Sequence, residues 1–266
     1  MATNADALVQ GRVSAATAAN PRLADRKLFL AAAVLFPLLV FIGYARTYYL
    51  SSLFEQAQPL ATSLVHVHAW VMSAWVLYFT AQTLLIRTRN VKLHMTMGFA
   101  GVALAVLVVI VGMSTAVDAH LVRKTAPAGI DPYGFFAIPV VDMMIFVGLF
   151  ALAIRYRKRP AEHKALMLLT AVNFLGAAIA RIPLLPPQYA IVQAFAIPDI
   201  LAIAGLGYYT WRHRKFNWAF AIGLAVIIST QPLRLYLAGS ETWIGMIGTL
   251  ADGIEASKVF VSPPMP

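Results

Sequence analysis

The 266-residue chain contains no cysteine, which excludes disulfides, thiolate metal sites and iron–sulfur clusters. Charge is scarce as well. Asp, Glu, Lys and Arg together make up 12% of the residues, about half the share in an ordinary soluble domain. A chain this long with so few charges is not a soluble enzyme, a disordered protein or a nucleic-acid-binding module. Acidic residues are the scarcest, 11 against 21 basic ones, for a formal net charge of +10. In a soluble protein that excess would point to a polyanionic partner; in a membrane protein its distribution sets orientation. There is also no phosphate loop, zinc-protease motif, Ser/His/Asp arrangement or Rossmann fingerprint. What the chain has in abundance is apolar surface, at 60% of residues.

That surface is arranged in runs. A spanning helix needs about 20 mostly apolar residues, and seven stretches qualify: Leu28–Leu50, Leu64–Ile86, Met95–Val117, Ala137–Ile154, Ala165–Leu185, Ala190–Trp211 and Phe216–Leu237. The expected fold is therefore all-α, a polytopic transmembrane bundle of seven spans over residues 28–237. Basic residues cluster at Arg12, Arg22, Arg26 and Lys27, at Arg87, Arg89 and Lys92, at Arg155, Arg157, Lys158, Arg159 and Lys164, and at Arg212, Arg214 and Lys215. These are 15 of the 21. All fall at the same ends of the spans, so the positive-inside rule makes those ends cytoplasmic, with the N-terminus inside and the C-terminus outside. Microbial rhodopsins run the other way, and the last span lacks a lysine for a retinal Schiff base.

Residues 1–27 are Ala-rich and polar and read as a disordered cytoplasmic tail. Residues 238–266 read as an outer amphipathic helix, with Trp243, Ile244, Ile247, Leu250, Ala251 and Ile254 at helical spacing, followed by a Ser-Pro-Pro tail. A weak internal repeat places His94 and His163 at matching positions, each after a basic loop and before an apolar helix. It makes spans two to five a pseudo-symmetric four-helix core.

Ionisable residues inside a membrane are costly, so they carry the functional information. Counted from the cytoplasmic end of each helix at 1.5 Å per residue, Asp142 and Asp199 both lie about 18 Å up. Gln231 follows at about 22 Å, Arg181 at about 24 Å, Arg46, His68 and Arg234 at about 27 Å, and His66 at about 30 Å. The expectation is a polar, outward-facing ligand pocket of His68, Asp142, Arg181, Asp199, Gln231 and Arg234, with Arg181 as the cation nearest the two aspartates. Arg46 and Arg234 are shallow enough to snorkel into headgroups instead. Pro198 before Asp199 and Pro232 after Gln231 remove helical hydrogen bonds beside these groups, which suits a wet cavity.

Two cofactor sites are candidates. His66, His68, Asp118 and His120 form a candidate Zn, Cu or Fe site at the outer end. His94 and His163 are candidate axial ligands of a haem at the cytoplasmic ends of spans three and five. Trp70, Trp75, Tyr44, Tyr48, Tyr49, Trp211 and Trp218 read as interface anchors.

The stretches Leu64-Val-His-Val-His-Ala-Trp, Ala81-Gln-Thr, Leu93-His94, Pro139-Val-Val-Asp142, His163-Lys-Ala-Leu-Met-Leu-Leu, Ala180-Arg-Ile-Pro and Gln231-Pro-Leu-Arg234 resemble a group of uncharacterised bacterial multi-span inner-membrane proteins. The resemblance implies location and topology and carries no activity. Dihaem cytochromes and haem A synthase share only the theme of histidines near helix ends, without the paired spacing. Three functions follow as expectations. The first is a carrier of a small ligand, haem or quinone, linked to electron transfer. The others are a proton-coupled small-molecule transporter with Asp199 as coupling carboxylate, and a non-catalytic accessory subunit of a membrane complex.

Overall fold

The structure, a computed structural model, describes residues 21–54 and 62–261. Its elements are α1 (Pro21–Tyr44), α2 (Ser63–Arg87), α3 (Val91–Val117), the short α4 (Pro132–Phe135), α5 (Ala137–Arg155), α6 (Pro160–Ile179), α7 (Ala190–His213), α8 (Trp218–Ala238) and α9 (Glu241–Val261). π-helical turns extend α1 over Ala45–Tyr49 and α3 over Asp118–Val122. The protein is all-helical, with no strand among the described residues. Helix starts follow side-chain chemistry. Asn90 accepts from Leu93 N to cap α3, Asp131 from Gly134 N to cap α4, and Asn217 from Phe220 N to cap α8, each satisfying a backbone donor that the helix cannot.

Among the described residues six helices are long and apolar enough to cross a membrane, which is the architecture of a multi-pass membrane protein. The seventh expected span corresponds to α6, whose composition falls short. Glu162, His163 and Lys164 sit in its first turn and Asn173 at its middle. Yet α6 is the most enclosed helix. It packs against α1, α5, α7 and α8, and Leu166, Leu169, Val172, Leu175 and Ile179 are buried along its length. A helix surrounded by other helices has little lipid to face, so it tolerates polar residues that lipid-facing neighbours do not.

The main core gathers around α6: Phe36 from α1, Phe79 from α2, Ile145 and Leu149 from α5, Ala202 from α7, and Phe220, Leu224 and Ile227 from α8. A second cluster fills the space between α2, α3 and α5. There Trp75 meets Phe146 edge-on at 5.2 Å, and Phe146 lies 4.8 Å from Phe174. Trp75 is thus a core residue, 1% exposed, and not the interface anchor expected of it. Position near a span end does not reveal which side of the helix a ring occupies. Trp70, Trp211 and Trp218 are exposed, as anchors are.

Helix α1 begins at Pro21, so residues 21–27, expected in the disordered tail, are helical. The rest of that tail, 1–20, and the Ser-Pro-Pro end, 262–266, lie outside the described residues. Helix α9 is amphipathic, as its spacing predicts. Ile247 and Ala251 pack against Ala116, Leu121 and Phe136, while Trp243 Nε1 donates to the Tyr133 carbonyl at 2.9 Å. Lys124 pairs with Glu255 at 3.6 Å, and its ammonium pKa is raised by the Tyr133 hydroxyl and then by Glu255. The helix caps the end of the bundle reached by the 118–136 connection.

In lipid, helices gain nothing from leaving water, so close packing must hold the bundle. Glycines permit it. A Cβ on Gly43 would run into the backbone of Ala178 on α6, and one on Gly176 would come to 2.9 Å from Ala194 O on α7. Gly43→Ala therefore forces α1 and α6 apart, at about 1–3 kcal/mol. Thermal unfolding of purified protein should show a lower midpoint for Gly43→Ala and none for Gly207→Ala, whose Cβ meets open space.

Candidate functional site

Three helices bring their polar residues together in one layer. Arg234 on α8 forms an ion pair with Asp142 on α5, Nη1 to Oδ1 at 2.7 Å. Arg234 is 3% exposed, so the pair is a buried one and not a snorkelling side chain. One turn back on α8, Gln231 Nε2 donates to both carboxylate oxygens of Asp199 on α7, at 3.1 and 2.9 Å. The layer thus holds two carboxylates, Asp142 on the guanidinium and Asp199 on the neighbouring amide.

The surroundings fix that guanidinium. Its plane lies over Phe195 at 5.7 Å, and Nη2 reaches Thr230 Oγ1 at 3.5 Å. Both neighbours stand four residues before a polar partner, Phe195 before Asp199 and Thr230 before Arg234, hence on the same helix face. That spacing is the signal by which the sequence would have revealed them. Asn173 on α6 donates to the Asp142 carbonyl at 3.0 Å, tying α5 to the central helix at this level. Among the described residues Arg234 Nε has no hydrogen-bond partner.

Arg181, expected between the two aspartates, is elsewhere. Helix α6 stops at Ile179, so Arg181 sits in a turn, where it donates to the Ala177 carbonyl and stacks over Tyr44 of α1 at 4.6 Å. His68 lies within electrostatic reach of this arginine. The pocket expected from six residues is thus two groups: Asp142, Asp199, Gln231 and Arg234 in one, Arg181 with His68 in the other. Expected depth put Asp142 and Arg234 about 9 Å apart, yet they pair at 2.7 Å; side-chain reach and the direction around the helix decide partnership. Gln193, not singled out from sequence, is 2% exposed. It donates to the Ile182 carbonyl at 2.7 Å and accepts from Leu185 N at 3.0 Å, satisfying the backbone freed where α6 ends.

The candidate metal site does not assemble. Asp118 pairs with Arg123 at 2.8 Å, His120 bonds the Thr125 carbonyl at 2.7 Å, and His66 sits 3.5 Å from Tyr48 Oη. No group of three His, Asp or Glu side chains suited to a metal occurs among the described residues. Three of the four expected ligands, His66, Asp118 and His120, have nearer partners of their own. His94 and His163 do come together, their ring centroids 6.4 Å apart and inclined by 75°. His163 Nδ1 donates to the Ala153 carbonyl at 2.8 Å, which leaves Nε2 as its acceptor nitrogen. Arg46 stacks over Phe54 at 5.4 Å and takes no part in the layer.

Above the layer lies a cleft of about 410 Å³ lined by Ile138, Ile191, Leu235, Ala238 and Ile244, with Asp131 at its edge. Ile138, Ile191 and Leu235 stand four residues, about 6 Å, from Asp142, Phe195 and Gln231 in the direction of the α9 cap. The cleft thus lies about one helical turn from the polar layer, on the side of α9.

Removing one partner of a buried pair leaves the other charge stranded, at about 3–5 kcal/mol. Arg234→Gln is expected to lose stability on that scale. Arg181→Gln should lose no more than about 1 kcal/mol, the scale of an exposed cation–π contact. Asp142→Asn combined with Arg234→Gln should cost less than the two singles added, because the charges fall together. Unfolding of the purified variants measures all three.

No family model, curated protein or solved structure matches the chain.

Proposed function

We propose that this is a seven-span protein of the bacterial inner membrane that holds a small ligand in the outer half of its bundle, at Arg234, Asp142, Asp199 and Gln231. The reading counts α6 as the remaining span, puts the N-terminus in the cytoplasm and the C-terminus outside, and agrees with the group that the sequence resembles. One observation carries it: three helices gather Asp142, Arg234, Asp199 and Gln231 in one buried polar layer, one helical turn from the cleft under α9. Pro198 and Pro232 flank the layer in α7 and α8, removing two backbone hydrogen bonds where a ligand would gain from free carbonyls. Native mass spectrometry of the full chain in mild detergent should detect a retained small molecule that Arg234→Gln loses and Arg181→Gln keeps. Retention that does not depend on Arg234, or none, would remove this function.

A second reading, haem-linked electron transfer, is favoured by the facing pair His94 and His163. Metal–imidazole bonds of about 2 Å on both sides of an iron hold two donor nitrogens about 4 Å apart, compatible with ring centroids at 6.4 Å. His163 makes the ring N–H to carbonyl bond that orients ligating histidines. The purified protein should then show a Soret band that either His94→Ala or His163→Ala abolishes. A spectrum without that band leaves the histidines as a packing contact.

A further inference from the structure

The end of the bundle away from α9 carries a concentrated positive surface. Where α5 turns into α6 stand Arg155, Arg157, Lys158 and Arg159, and where α7 turns into α8 stand Arg212, Arg214 and Lys215. Asn217 joins the two turns. It is 6% exposed, its Nδ2 donates to the Ala161 carbonyl at 3.1 Å, and its Oδ1 caps α8. Against these cations the two turns set a single carboxylate, Glu162. Three of the cations are held against their own turn. Arg157 donates to the Ile154 carbonyl at 3.4 Å, Arg159 lies over Tyr156 and Arg212 over Trp211. The others, Arg155 and Lys158 on one turn and Arg214 and Lys215 on the other, are exposed and enter no ion pair among the described residues. Trp211 and Trp218, 60% and 69% exposed, bracket the second turn, and exposed tryptophans of a membrane protein sit at headgroup depth.

We propose that the two turns together bind the headgroup of cardiolipin, a phospholipid with two phosphates joined through one glycerol, its acyl chains lying in the bilayer beside the helices. Cations that a buried side chain holds together repel one another, and an anion between them removes that repulsion. Each turn offers one free arginine, which grips a phosphate through two parallel hydrogen bonds, and one free lysine, a point charge beside it. A lipid with one phosphate would neutralise one turn and leave the other. The tryptophans argue for a lipid rather than an acidic protein, because they set these cations at the level where the membrane itself supplies phosphates. The site lies at the opposite end of α8 from Arg234 and stands independently of the ligand layer.

The test is native mass spectrometry of the full chain in mild detergent, titrated separately with cardiolipin, phosphatidylglycerol and phosphatidylcholine. Cardiolipin should bind in preference to the other two and raise the midpoint of thermal unfolding. Each cation near an anionic headgroup is worth about fivefold in affinity, so Arg214→Gln combined with Lys215→Gln should weaken cardiolipin about 25-fold. Both residues are exposed, so the doubly substituted chain should fold and lose only the cardiolipin-dependent rise in midpoint. Arg87→Gln combined with Arg89→Gln removes the same charge from the exposed α2–α3 turn at that end and should change binding little. Asn217→Ser keeps a cap for α8 and every cation but loses the bond to Ala161. It should lower affinity for cardiolipin and leave that for phosphatidylglycerol unchanged. Equal losses from the Arg87 and Arg89 pair, cardiolipin bound no better than phosphatidylglycerol, or indifference to Asn217→Ser would overturn the proposal.

Discussion

The ion pair of Arg234 with Asp142 is the constraint around which the α9 half of this bundle is organised. A guanidinium 3% exposed among apolar helices is tolerable only with a carboxylate at hydrogen-bonding distance, and replacing either member strands a charge. That requirement sets the azimuth of α5 against α8. Through Asn173 and the Asp142 carbonyl it also sets the height of α6 against α5. Asp199 follows because Gln231, one turn from Arg234, holds it. Four helices are aligned by a handful of polar contacts, while glycines at the α1–α6 and α6–α7 crossings supply the close approach.

The same logic explains the two ends of the bundle. Where α6 stops at Ile179, Gln193 takes over the backbone groups that the helix no longer satisfies, which keeps Arg181 in a turn facing Tyr44. Toward the cap, Tyr133 and Trp243 tie α4 to α9, and Ile244 of α9 lines the cleft. A helix lying flat over that end needs only a narrow apolar stripe, and Ile247 and Ala251 provide it. The half away from α9 is built differently. Aromatic rings from Trp75, Phe146 and Phe174 fill the space between α2, α3, α5 and α6, and the two histidines meet beyond that plug.

Much of the fold was legible because hydropathy reports length and the 1.5 Å rise reports depth. Asp142 and Asp199 were placed in one layer on that basis, with Gln231 about a turn higher, and α9 was read from its stripe. Partnership was not legible. Depth made Arg181 the nearest cation and left Arg234 to snorkel, whereas the close of α6 before Arg181 turns that residue away. The long reach of an arginine lets Arg234 cross the remaining distance to Asp142. The expected metal set failed for a related reason: Asp118 pairs with Arg123, His120 bonds the Thr125 carbonyl and His66 lies beside Tyr48, so these ligands do not converge. α6 was counted as an ordinary span from its apolar residues. Its enclosure, which explains Asn173 and the charged first turn, is a property of the assembled bundle and is written in no single segment.

The central claim is that the buried guanidinium serves a ligand as well as the fold. A density map of the protein in nanodiscs, with a bound antibody fragment for alignment, tests this at the level of Asp142 and Arg234. The account predicts continuous non-protein density beside Arg234. Arg234 turned away from Asp142, or a closed layer with side chains filling the cleft and nothing beside the guanidinium, would contradict it.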